Sequence, residues 1–160
     1  MNSEEIIKDE KNYFINTFLR QPIVLDHGKG LKIVDIEGNE YLDFFSGIAV
    51  NVLGYGYPKL VEAIQKQAEK LIHVSNIYYN LPAIEFAKKL VNLTSFDKIF
   101  YSNSGAESNE GAIKLAIKYT GKSEIISTTN SFHGRTLLTL AATGQDKYKE
   151  PYIKNLPQGF

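Results

Sequence analysis

The chain has 160 residues, 43% of them apolar and 22% charged, which suits one sizeable globular core. Its 18 basic and 18 acidic residues cancel, so it lacks the basic surplus that binds nucleic-acid backbones or an anionic membrane surface. It has no cysteine, which excludes disulfide and thiolate chemistry and agrees with a reducing, cytoplasmic setting.

The start, Met1-Asn2-Ser3-Glu4-Glu5, is acidic and unlike a secretory leader. Residues 3 to 16 are expected to form a helix with Ser3 as N-cap and acids in its first turn. Ile23-Val24-Leu25, Leu31 to Ile36 and Tyr41 to Phe44 read as strands, and Glu37-Gly38-Asn39 makes a hairpin of the last two. The apolar region Phe44 to Tyr57 is too short, and too interrupted by Ser46, Asn51 and glycines, to span a bilayer. Pro58 opens a helix on which Leu60, Val61, Ile64, Ala68, Leu71 and Ile72 recur at helical spacing. His73 to Leu81 is a polar, aromatic loop, and Pro82 to Val91 a further helix.

The second half reads as a strand at Lys98 to Ser102, a helix over Ser104 to Tyr119 stopped by Gly121, and a strand at Glu124 to Thr128. Strand, helix and strand in about thirty residues predict a βαβ unit and a parallel sheet. A short helix, Thr136 to Ala142, follows a loop, and the tail Asp146 to Phe160 has no regular period. A parallel sheet needs several strands and only two are strong, so the chain is expected to be the front portion of a longer protein.

Two loops carry candidate chemistry. Ser104 and Glu107, in Ser102-Asn103-Ser104-Gly105-Ala106-Glu107, have capping-box spacing, and a well-capped helix would explain them alone. Gly105 and Ala106 are also small, so a phosphate could approach their backbone N–H groups at the positive end of the helix. Ser131-Phe132-His133-Gly134-Arg135 follows the next expected strand. Phe132 could stack on a flat ring, and Arg135 could take a carboxylate bidentately. Arginine is otherwise found only at Arg20 in this lysine-rich chain. The other reading makes Phe132 a core residue and Arg135 a surface one. His27, His73 and His133 lack metal-ligand spacing, so no metal is expected, and there is no G-x-S-x-G nucleophile motif.

Tyr101 to Glu110, followed by Ala112-Ile113-Lys114-Leu115-Ala116, resembles the phosphate-loop motif of class III pyridoxal-phosphate-dependent aminotransferases. Ser131 to Thr136 resembles the cofactor-stacking loop of the same class. Tyr41-Leu42-Asp43-Phe44 with Gly47 to Asn51, and His73 to Asn76 with Tyr78-Tyr79-Asn80, are similar to its N-terminal signatures. The resemblance runs from about Gln21 to the end and is nearest to the enzymes that act on N-acetylornithine.

It implies an α/β chain of the fold-type-I transferases: residues 1–60 in a small α+β domain, and residues 61–160 opening a large, mostly parallel-sheet domain that binds the cofactor. It implies pyridoxal phosphate held by Gly105 and Ala106 and stacked on Phe132, with the substrate α-carboxylate on Arg135. The implied activity transfers the side-chain amino group of N-acetylornithine to 2-oxoglutarate, for arginine biosynthesis, in a cytoplasmic homodimer whose partners are small amino and 2-oxo acids. The class's Schiff-base lysine has no counterpart here, so no catalytic residue is assigned and the 160 residues are expected to be inactive alone. The alternatives are an ornithine or 4-aminobutyrate aminotransferase, or a non-catalytic phosphate-binding α/β module. Tyr55-Gly56-Tyr57 where histidines are common, Phe18 for tyrosine and Gly111 for alanine depart from the pattern.

Overall fold

Asn2, not Ser3, caps the first helix. In the computed structural model, which describes residues 1–160, the Asn2 side chain accepts from the Glu5 amide and the Glu5 carboxylate accepts from the Asn2 amide. This closes a capping box on α1 (Ser3–Tyr13), which ends short of the expected residue 16. The chain divides into two units, Met1–Tyr79 and Asn80–Phe160. The division expected at residue 60 falls inside the first unit.

Three antiparallel strands follow in the order β1 (Leu25–Lys29), β2 (Lys32–Asp35), β3 (Glu40–Leu42). The hairpin at Glu37-Gly38-Asn39 forms where expected, but the first strand begins at Leu25, where the expected one ended. Asp35, only 5% exposed, organises the turn. Its carboxylate accepts from the Glu37 and Asn39 amides, the Asn39 side chain and the Tyr41 hydroxyl at 2.7–3.1 Å. Asp43 accepts from the Phe45 and Ser46 amides and the Tyr55 hydroxyl at 2.7–2.8 Å. It thereby anchors α2 (Ser46–Ala49), a single turn wound left-handed with φ of 49–64°. For Ser46, Ile48 and Ala49 that conformation costs about 1–2 kcal/mol each.

These carboxylates set a pH window. The Asn39 side chain foremost, then the Tyr41 hydroxyl and two amides, hold Asp35 below its ordinary value of 3.8, against the effect of burial. The Tyr55 hydroxyl foremost does the same for Asp43. The hydrogen bonds to these carboxylates push Tyr41 and Tyr55 above 10.0. A depressed carboxyl stabilises the fold above its unfolded value, and that contribution is lost as pH falls through the folded one. A raised phenol stabilises below its unfolded value and loses the effect as pH rises through the folded one. Stability of the first unit is therefore expected to fall on the acid side of about 4 and the alkaline side of about 10. In denaturant titrations across pH, Asp35→Asn should flatten the acid limb, and an unchanged limb would remove Asp35 from the account.

α3 (Pro58–Lys70) starts at its proline as expected. In the second unit, α4 (Leu81–Asn92) is capped by the Asn80 side chain. α5 (Gly105–Thr120) runs from Ser104 as N-cap to Gly121, whose φ of 69° makes the left-handed stop. α6 (Leu137–Ala142), α7 (Asp146–Lys149) and a 3₁₀ segment (Glu150–Asn155) complete the chain, so the tail is more regular than its sequence period indicates. Gly111, in place of an alanine, lies under Phe100: a Cβ there would come within 3.2 Å of the ring.

The expected strands at Lys98–Ser102 and Glu124–Thr128 do not form, and neither does the parallel sheet. A strand exists only against a neighbour that accepts its ladder hydrogen bonds. Residues 98–102 pair with no other strand, and Ile125 makes a single backbone bond, to the Gly159 carbonyl. The buried apolar residues are Leu140, Ala141, Ala142 and Leu156, all in the second unit. Thr139 and Thr143 beside them are wholly buried.

Candidate functional site

The site expected from the sequence lies within the second unit, and its two loops meet. Ser104 caps α5 by accepting from the Glu107 amide at 3.2 Å. The return bond of the expected capping box is displaced by one residue. Glu107 accepts from the Asn103 backbone amide at 2.8 Å and from the Asn103 side chain. The amides of Gly105 and Ala106, first in the helix, donate to no protein acceptor. A Cβ placed on Gly105 would meet nothing within 4 Å, so there is open room beside these donors. Two free amides at the positive end of a 16-residue helix suit a phosphate, and the Glu107 charge nearby is already engaged.

The 131–136 loop seats on the same end of α5 through three contacts. Asn109 Nδ2 donates to the His133 carbonyl at 2.7 Å, and Thr136 Oγ1 donates to Glu110 Oε1 at 2.6 Å. At Gly134, with φ 138°, a Cβ would lie 2.8 Å from the Ala106 Cβ. Only glycine allows the loop this close to the second residue of the helix. Phe132 is 50% exposed rather than a core residue, and Tyr148 meets it edge-on at 6.0 Å. Arg135 is exposed, and its guanidinium carbon lies 5.6 Å from the Phe132 ring centre. Gly105, Ala106, Phe132 and Arg135 thus belong to one neighbourhood. His133 is held there by its backbone.

Sequence reasoning missed the residues that fasten this neighbourhood: Asn109, Glu110, Thr136, Thr139 and Thr143. A usable signal was present. Thr136, Thr139 and Thr143 recur at i, i+3 and i+7 among leucines and alanines, which puts three hydroxyls on one helical face.

Arg20, the other arginine, has a different place. It pairs with Glu10 of α1 and lies 5.7 Å from the centres of Phe14 and Phe18. It thus lines a cleft of about 670 Å³ in the first unit, between α1 and residues 14–25. No three His, Asp or Glu side chains gather anywhere in a metal-binding group, and no helix is long and apolar enough to cross a membrane.

Residues 16–159 match the aminotransferase class-III family, and the chain belongs to it. It is 58% identical to an acetylornithine aminotransferase of Methanothermobacter thermautotrophicus, over all of this chain and 41% of that one. It is 54% identical to the acetylornithine aminotransferase of Methanocaldococcus jannaschii, over all of this chain and 42% of that one. Its fold superposes with a TM-score of 0.91, at 28% identity, on taurine:2-oxoglutarate aminotransferase from Bifidobacterium kashiwanohense in complex with PLP and glutamate. That match covers all of this chain and 37% of the other. The chain therefore spans about two-fifths of the length of the curated relatives it matches. The fold class expected from the sequence, that of the fold-type-I PLP transferases, is the class of its structural relatives, although the parallel strands expected within these residues do not form.

Proposed function

We propose that these residues supply the phosphate and ring contacts of a pyridoxal-phosphate-dependent aminotransferase that moves the side-chain amino group of N-acetylornithine to 2-oxoglutarate. The observation that carries the reading is the seating of the 131–136 loop on the amide-rich end of α5. The identity to acetylornithine aminotransferases supports the choice of substrate. In this reading the Gly105 and Ala106 amides bind the cofactor phosphate, Phe132 packs on the pyridine ring, and Arg135 orients the substrate by its α-carboxylate. Pyridoxal phosphate, when bound, supplies an electron sink for amino-group transfer. Residues 1–60 then belong to a small domain and 61–160 to the start of the cofactor domain. Work in the cytoplasm as a homodimer is part of the same proposal, and exposed apolar side chains such as Phe44, Val50, Ile77 and Tyr79 are available to be covered by further protein.

Arg135→Lys in the full-length protein tests the substrate role. Loss of bidentate geometry should cost about 2 kcal/mol, or about a thirtyfold rise in KM for the amino donor, with PLP affinity within about twofold. An unchanged KM would remove Arg135 from carboxylate binding.

A further inference from the structure

We propose that Asn109 and Thr143 are positioning residues that clamp the His133 peptide from both sides, and so set where Phe132 stands relative to the phosphate-binding end of α5. The inference rests on the functional reading above. His133 lies directly between Phe132 and the Gly134-Arg135 pair, so fixing its backbone fixes both neighbours. Its carbonyl accepts from Asn109 Nδ2 at 2.7 Å, and its amide donates to Thr143 Oγ1 at 3.0 Å. One partner comes from the second turn of α5 and the other from the residue that ends α6.

The clamp is backed by further hydroxyl bonds along α6 and its two caps. Thr143 Oγ1, having accepted from His133, donates to the Thr139 carbonyl at 2.9 Å. Glu110 as a carboxylate can only accept, so the Thr136 hydroxyl donates to it. The Thr139 hydroxyl is then the donor toward Thr136, whose Oγ1 lies 2.7 Å away. The loop is tied to α5 at two points three residues apart, His133 and Thr136, through the adjacent Asn109 and Glu110. Thr139 and Thr143 are the two fully buried side chains of the chain, in a molecule that buries few apolar ones. These two buried hydroxyls are thus committed to this loop, and each has a hydrogen-bond partner.

The test compares Thr143→Val, which keeps shape and removes the hydroxyl, with Thr143→Ser, which restores it, and with the half-buried Asn109→Ala. In the full-length protein, PLP affinity is read by titration, inorganic phosphate affinity by its competition with PLP, and loop order by hydrogen exchange of the cofactor-free protein. Thr143→Val and Asn109→Ala should each weaken PLP about tenfold, leave inorganic phosphate within about twofold, and speed exchange at His133; Thr143→Ser should recover all three. Equal losses of PLP and phosphate, or unchanged PLP affinity with faster exchange, would overturn the clamp as a positioning device. If Thr143→Val does not fold, Asn109→Ala decides by the same criteria. Wild-type protein that binds no PLP would sink the functional reading instead, and the exchange response at His133 would tell that failure from failure of the clamp.

Discussion

Gly134→Ala is expected to weaken pyridoxal phosphate binding about a hundredfold and to lower the melting temperature of the cofactor-free protein. Two costs add at this position. Its φ of 138° lies where an L-residue is strained by about 1–3 kcal/mol. The new methyl would also stand 2.5 Å from Thr139 Oγ1 and 2.8 Å from the Ala106 Cβ. Thr139 is wholly buried and engaged with Thr136, so it has no room to withdraw. Overpacking of that kind adds about 1–3 kcal/mol. The loop relieves both by lifting off α5, which separates Phe132 and Arg135 from the Gly105 and Ala106 amides. PLP titration and thermal melting check the result, and a variant that bound and melted like wild type would refute the close seating of the loop.

Gly144→Ala is expected to destabilise the second unit by about 3 kcal/mol, through contact alone. A methyl there would run into the Thr128 carbonyl oxygen and come within 3.0 Å of the Asn130 nitrogen and Ser131 Oγ. All are held in place: Asn130 donates its amide to the Gly144 carbonyl at 2.8 Å, Gly144 donates to the Ser131 carbonyl and hydroxyl at 3.1 Å, and Ser131 Oγ donates to the Thr128 carbonyl at 2.6 Å. Opening this crossing gives up about three hydrogen bonds at about 1 kcal/mol each. Because Ser131 precedes Phe132, cofactor affinity should fall as well. Gly105→Ala is the control, since its Cβ meets only open space and should leave folding intact. Chemical denaturation of both variants makes the comparison, and equal stability would contradict the crossing.

What could be read from the sequence was what depends on near neighbours. The Glu37-Gly38-Asn39 turn, Pro58 at a helix start, Ser104 at a cap and Gly121 at a stop each state their role within a few residues, and each takes it in the structure. Both candidate loops stand out in the sequence for the same reason. The expected strands at 98–102 and 124–128 failed because an apolar run has no way to supply a neighbouring strand. Asp35 and Asp43 were hidden because a carboxylate that gathers several turn donors looks like any surface acid until the chain is folded. The left-handed turn at Ser46–Ala49 contradicts the preference of three of its four residues, so no local rule finds it. Asn109 and Thr143 were missed because their partner, the His133 backbone, is set by tertiary packing.

The reading as a whole depends on the first two amides of α5 receiving a phosphoryl group. Amide NMR of the full-length protein, with Gly105 and Ala106 resolved, measures this directly. Both resonances should move on addition of pyridoxal phosphate or inorganic phosphate, and stay in place with pyridoxal, which lacks the phosphate. If both stayed in place with pyridoxal phosphate, or responded equally to pyridoxal, the phosphate would be bound elsewhere and the account would be wrong.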